Sequence, residues 1–132
     1  MKAQESAENY LETILILSQS EKPVRSTDIV VRTGYSKPSV SIAMKKLRAK
    51  GYIGMASGGC ITLTDSGRKI AETVYERHTL ISDWLIFLGV DKKTAVNDAC
   101  RMEHSMSEPS FFALKKHIED WKREVYTQKA EG

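Results

Sequence analysis

Two cysteines, three prolines and no long apolar stretch set the first limits on this 132-residue chain. Cys60 and Cys100 make neither a CxxC pair nor a disulfide framework, so each is judged by its neighbours. With so little proline and 41% hydrophobic residues, wholesale disorder and fibrous repeats are excluded. The longest nearly unbroken apolar run, Trp84 to Val90, falls far short of the roughly 20 residues needed to span a bilayer, so no membrane partner is expected. The N-terminus, Met1-Lys2-Ala3-Gln4-Glu5-Ser6, carries acid where a signal peptide has its apolar core, and a cytoplasmic location is expected. Neither charge is in great excess: 20 Lys and Arg stand against 17 Asp and Glu, a formal +3. Any basic surface must therefore be local. There is no internal repeat or low-complexity tract, and the length suits one domain or a small domain with a helical appendage.

What is present is mostly helical signal. Ser6 is placed to cap a helix running to about Ser18, with Leu11, Ile14, Leu15 and Leu17 on its apolar face. After a loop from Gln19 to Arg25, Ser26 is a second N-cap, and Thr27 to Thr33 reads as a short helix stopped by Gly34. The next helix starts near Ser36-Lys37-Pro38, where proline's missing N–H is harmless. It carries Val40, Ile42, Met44 and Leu47 before Gly51 ends it. Two β-prone runs, Tyr52 to Met55 and Cys60 to Thr64, flank the tip Ala56-Ser57-Gly58-Gly59 and predict a hairpin. A long helix from Thr64 or Asp65 to about Leu88 is followed by a fifth from about Thr94 to Met106. A sixth runs from the Ser107-Glu108-Pro109 cap to near Lys129.

Helix, short glycine turn, helix and hairpin describe a winged helix-turn-helix, with Lys37 to Lys50 as its recognition helix. Small side chains let a helix sink into the major groove of double-stranded DNA, and Ser36, Lys37, Pro38, Ser39 and Ser41 are such a set. Lys45 and Lys46, with Arg48 and Lys50, lie farther along and suit phosphates. Each cluster taken alone is also what a solvated helix face looks like. The order of elements favours the DNA module.

A second constellation lies beyond it. Cys100, Glu103 and His104 stand at i, i+3 and i+4, which puts thiolate, carboxylate and imidazole on one helical face. Such a mixed set suits a transition metal, and the thiolate favours a borderline-soft ion over Mg²⁺ or Ca²⁺. A buried cysteine beside two solvated polar residues is the plainer alternative. His78 on the long helix, with Asn9 and Glu12 on the first, supplies further donors, although a lone histidine at an apolar boundary is more often a satisfied core residue.

The segment Asn97-Asp98-Ala99-Cys100-Arg101-Met102-Glu103-His104-Ser105-Met106-Ser107 resembles the metal-site helix of the diphtheria toxin repressor family of iron- and manganese-dependent repressors. Glu8-Asn9-Tyr10-Leu11-Glu12-Thr13-Ile14 resembles that family's first helix, and Leu63-Thr64-Asp65-Ser66-Gly67 with Arg77-His78-Thr79-Leu80 resembles its wing exit and linking helix. The resemblance implies a homodimer whose winged helices bind palindromic DNA when a divalent metal occupies a site between the domains. It implies Glu12, His78, Glu103 and His104 as ligands in the manner of the manganese-sensing branch, whereas Cys100 matches the iron-sensing branch. Asn9 departs from both branches, standing where one has aspartate and the other methionine. Ser82 stands near a carboxylate position of the second iron-branch site. The chain ends at Gly132 and is expected to lack the C-terminal SH3-like domain of the longer members.

The expected architecture is therefore mainly α with a small β-hairpin wing. A winged helix-turn-helix domain over residues 1–64 precedes a helical metal-binding and dimerisation domain over 65–132. The expected function is metal-dependent repression, with Fe²⁺ ahead of Mn²⁺ or Zn²⁺ because manganese prefers oxygen-rich ligation. A thiol-redox regulator using Cys100 is the alternative. A Cys-His enzyme is disfavoured, since no glycine-rich oxyanion loop accompanies the pair. Neither catalytic residues nor a small organic substrate are expected. Trp84, Phe111 and Phe112 read as core or dimer packing.

Overall fold

The computed structural model describes residues 3–131, with side chains over 6–125. Six helices and one hairpin follow in order: α1 (Ala3–Ser18), α2 (Ser26–Thr33), α3 (Lys37–Ala49), β1 (Ile53–Met55), β2 (Ile61–Leu63), α4 (Asp65–Phe87), α5 (Lys92–Met102) and α6 (Glu108–Glu131). The chain forms two compact units that meet at Tyr75 and Glu76, within α4. The fold class is the one expected, helical with a two-stranded wing.

In the first unit, Leu11 and Ile14 of α1 pack with Ile29 of α2, Val40, Met44 and Leu47 of α3, and Ile53 and Ile61 of the wing. Burying each such side chain is worth about 1.5–3 kcal/mol, which makes this cluster the main source of the unit's stability. Val40, Met44 and Leu47 recur at i, i+4 and i+7, as a single helical stripe requires. Ile42, the other apolar residue noted in this helix, is 56% exposed because it lies on the opposite face.

The turn chemistry follows the sequence closely. Gly34 ends α2 at φ 76°, a conformation that side chains resist. Ser36 caps α3, its Oγ accepting the Ser39 N–H at 3.3 Å, with Pro38 in the first turn. The hairpin pairs Ile53 with Leu63 and Met55 with Ile61 in antiparallel register, around a 3-10 turn at Ser57–Gly59. At the wing exit, Thr64 Oγ1 donates to the Gly51 carbonyl at 2.7 Å and accepts the Gly67 N–H at 3.2 Å. Gly67 is buried so close to Tyr52 that a Cβ there would sit 1.9 Å from the Tyr52 carbonyl oxygen.

Several boundaries differ from expectation. Helix α1 begins at Ala3, so Ser6 lies inside its first turns instead of capping it. Ser26 is the first residue of α2 and Arg25 holds the cap position, its N–H donating to Asp28 Oδ2 at 2.9 Å. The loop before α2 also adds a β-bridge, with Ile61 N–H donating to the Val24 carbonyl at 2.8 Å.

The second unit contains the rest of α4 with α5 and α6. Ile81, Ala95, Ala99, Phe111 and Ile118 are its buried apolar residues. Trp84 stacks parallel to Phe87, and Trp121 of α6 meets both edge-on, at centroid distances of 5.1 and 4.5 Å. Of the phenylalanine pair, Phe111 is buried and Phe112 is 70% exposed. Helix α5 runs from Lys92 to Met102, shifted from the expected Thr94 to Met106. Asp91 caps it, Oδ2 accepting the Thr94 N–H at 3.0 Å and Oδ1 the Thr94 hydroxyl at 2.8 Å, which also holds the Asp91 carboxyl below its usual pKa. At the other end, residues 103–106 form a turn leading to Ser107, whose carbonyl accepts the Phe111 N–H as α6 begins. No described helix is long and apolar enough to cross a membrane.

Candidate metal centre

The second unit brings three donors of different chemistry together. His78 comes from α4, Cys100 from the last turn of α5, and Glu103 from the residue that ends α5. One ligand atom from each lies within 4.8 Å of the others, the one such grouping of metal-ligating side chains among the described residues. His78 Nδ1 is the shared neighbour, 2.9 Å from Glu103 Oε2 and 3.7 Å from Cys100 Sγ.

The electrostatics suit a cation. Glu103 is fully buried, and its Oε1 has no hydrogen bond. That oxygen lies 3.2 Å from His104 Nε2 without hydrogen-bond alignment. A buried, incompletely satisfied carboxylate oxygen is costly unless positive charge compensates it. His78 reports the same field: its hydrogen bonds first to Cys100 and then to Glu103 push its pKa up from 6.5 to about 10, against the opposing effect of burial. The same negative surroundings that raise the His78 pKa are what a cation would meet. Imidazole, thiolate and carboxylate are also the ligand types of a borderline transition-metal site.

The structure therefore places the expected donors unequally. His78, ambiguous by spacing, stands at the centre with Cys100 and Glu103. His104 is not in the turn of helix its spacing suggested, since α5 has already ended; it joins the group through Glu103 Oε1. Asn9 and Glu12 lie on α1 in the first unit, where Glu12 is buried and the Asn9 carbonyl accepts the Thr13 hydroxyl at 2.8 Å. Ser82 donates to the Thr79 carbonyl of its own helix.

One residue escaped the sequence reading. Arg77, next to His78, is 9% exposed and its Nη1 donates to the Glu103 carbonyl at 3.1 Å and the Met106 carbonyl at 2.7 Å. Its guanidinium carbon lies 5.0 Å from the centroid of the Phe111 ring. The only local signal was a basic residue preceding a histidine.

In the first unit, Ser36, Lys37, Pro38, Ser39, Ser41, Lys45 and Lys46 are all exposed, Ser36 to Ser39 at the N-terminal end of α3 and Ser41, Lys45 and Lys46 on its flanks away from buried Val40, Met44 and Leu47. Ser36 also serves α3 as its cap.

Residues 2–58 match the N-terminal DNA-binding domain of iron-dependent repressors, and residues 64–130 match the metal-binding and dimerisation domain of the same proteins. An HTH-type transcriptional regulator of Methanocaldococcus jannaschii is 33% identical over 92% of this chain and 98% of its own length. The transcriptional regulator MntR of Escherichia coli is 34% identical over 84% of this chain and 72% of its own. The diphtheria toxin repressor of Corynebacterium diphtheriae is 29% identical over 92% of this chain and 54% of its own. Among solved structures, a manganese-dependent transcriptional repressor in complex with manganese superposes with a TM-score of 0.78 at 28% identity, over 86% of this chain. ScaR with bound Zn²⁺ gives a TM-score of 0.73 at 26% identity over the same share. The chain spans about half the length of these two structures, 52% and 53%.

Proposed function

The chain belongs to the iron-dependent repressor family, and we propose that the cluster of His78, Cys100 and Glu103 is the metal-sensing centre through which it controls DNA binding. It is a metal-dependent, DNA-binding transcriptional repressor, not an enzyme. The observation that carries the reading is the convergence of the imidazole, thiolate and carboxylate within 4.8 Å.

We place His104 in the same centre on its 3.2 Å approach to Glu103, and add Glu12 and Asn9 on the sequence pattern alone. A divalent cation held there would take over the charge compensation that protonated His78 gives the buried carboxylate. His78 must give up its proton to act as a ligand, so proton loss accompanies loading. Glu103 would hold the cation through its fully buried carboxylate. The relatives bind manganese in one case and zinc in another. Fe²⁺ and Mn²⁺ are both open as the physiological signal. The thiolate of Cys100 inclines the site toward Fe²⁺ or Zn²⁺, since Mn²⁺ favours oxygen-rich ligation. Thiol oxidation as the signal finds no support among the relatives.

The winged helix-turn-helix, which we take as residues 1–64, presents Ser36, Lys37, Pro38, Ser39 and Ser41 to a DNA operator, with Lys45 and Lys46 on phosphates. In a homodimer, metal loading fixes the spacing of two such helices and selects operators whose half-sites match it. A cytoplasmic location accords with this role.

The test is anaerobic fluorescence anisotropy on the DNA upstream of the protein's own gene, with chelator and then Fe²⁺, Mn²⁺, Zn²⁺ and Co²⁺ in turn, for wild type and Cys100→Ala. Binding that appears only with metal and weakens in the variant is the expected result. Binding indifferent to both metal and chelator would sink the proposal.

A further inference from the structure

We propose that Arg77 is a positioning residue for the metal centre, holding the main chain of Glu103 while the Glu103 side chain is used for binding. The inference rests on the metal reading of the His78, Cys100 and Glu103 cluster and deepens it.

The turn from 103 to 106 carries two of the donors, and its N–H groups hold it to the end of α5, Glu103 donating to the Ala99 carbonyl at 2.9 Å and Ser105 to the Met102 carbonyl at 3.1 Å. Arg77 Nη1 fastens its carbonyls from α4, donating at once to those of Glu103 and Met106, the two ends of that turn. The second of these residues adjoins Ser107, where α6 starts, and the guanidinium also lies against the ring of Phe111 in the first turns of α6. Among the described residues the buried guanidinium therefore spends its hydrogen bonds on one short segment, and that segment bears Glu103 and His104.

Adjacency on α4 sharpens the point. Arg77 grips Glu103 by its carbonyl, and His78, the next residue, meets the same glutamate by its carboxylate at 2.9 Å. When both His78 Nδ1 and Glu103 Oε2 turn their lone pairs to a cation, their mutual hydrogen bond is given up. The Arg77 bonds are made to carbonyls, not to ligand atoms, so they persist. Arg77 thus fixes where the carboxylate starts from before loading and where its backbone stays afterwards. Partners that orient metal ligands in this way typically change affinity by about 10–100-fold when removed.

The experiment titrates the full-length, metal-free protein with Co²⁺ and follows the thiolate-to-cobalt charge-transfer band and the ligand-field bands. Arg77→Met keeps the apolar stem but no donor, Arg77→Lys restores a charged donor without the planar fork, and Ile118→Val loosens the same unit away from the turn. Arg77→Met is expected to weaken Co²⁺ binding about 10-fold or more and to alter the ligand-field bands, while the charge-transfer band of Cys100 survives at saturation. Arg77→Lys should fall between it and wild type. Ile118→Val should lower the melting temperature in chelator and leave cobalt affinity unmoved. Wild-type affinity and spectrum in Arg77→Met would overturn the proposal, as would an affinity loss in Ile118→Val as large as that in Arg77→Met. If Arg77→Met does not fold, Arg77→Lys decides: a several-fold loss with wild-type melting upholds the proposal, and unchanged binding overturns it. A wild-type protein that shows no cobalt bands at all removes the metal reading itself, and the role of Arg77 with it.

Discussion

His78 Nδ1 and Glu103 Oε2, 25 residues apart in sequence, lie 2.9 Å from each other, with the carboxylate fully buried. This pair ties α4 to the end of α5 and lies at the heart of the metal centre we propose, among donors that are unremarkable one by one. Replacing the carboxylate by its neutral isostere in Glu103→Gln removes the charge and leaves the shape. Divalent-metal affinity is expected to fall by about 100-fold or more, at the upper end of what even supporting residues cost. Isothermal titration with Co²⁺ or Mn²⁺ checks it, and an unchanged isotherm would show that the carboxylate is not a ligand.

The same pair sets a pH dependence in the metal-free protein. His78 titrates near 10 in the folded state against 6.5 when unfolded, so protonation favours folding. Its contribution is complete below about pH 6.5, declines between there and about pH 10, and is absent above. Thermal melts in chelator across that range should show wild type losing its advantage over His78→Gln as pH rises. A difference that stays constant from pH 6 to 10 would contradict the assignment.

On the proposed reading, Cys100 sets the preference among metals. Cys100→Glu exchanges the soft donor for a hard one, and the ratio of Mn²⁺ to Zn²⁺ affinity is expected to rise by about tenfold or more. Competition titrations with a metal-binding dye measure that ratio directly. The variant should also lack the thiolate charge-transfer band with Co²⁺.

On the exposed face of α3, Lys45 and Lys46 carry charge without supporting the fold. Lys45→Ala and Lys46→Ala should each weaken DNA binding uniformly across sequences and lower the salt slope by about 1, with the melting temperature unchanged. Ser36→Ala would be a poor test of DNA contact. Its loss of the α3 cap alone costs about 1 kcal/mol of stability.

Gly67 is required by packing and not by backbone freedom. Its added Cβ would lie 1.9 Å from the Tyr52 carbonyl oxygen, a backbone atom that cannot swing aside. Gly67→Ala is expected to destabilise the first unit by about 3 kcal/mol, at the upper end for overpacking. Denaturant melts of the variant check this, and a loss under about 1 kcal/mol would mean the wing exit can shift.

Much of this protein was written in local sequence. Gly34, the Ser36-Lys37-Pro38 start and the glycine-rich tip at Ser57–Gly59 determined the order of helix, turn, helix and wing, because capping and turn geometry depend on residues within a few positions of each other. The donor types were legible too, as was the family they resemble. Tertiary structure decided the rest. Only packing shows that Val24 joins the wing, that Ile42 faces outward, and that α5 stops at Met102, where Arg77 takes the carbonyls of the turn that follows. Spacing alone grouped Cys100, Glu103 and His104 on one helix. The folded chain instead centres the site on His78, because a distance between helices is set by the side chains packed between them, and no local period encodes it.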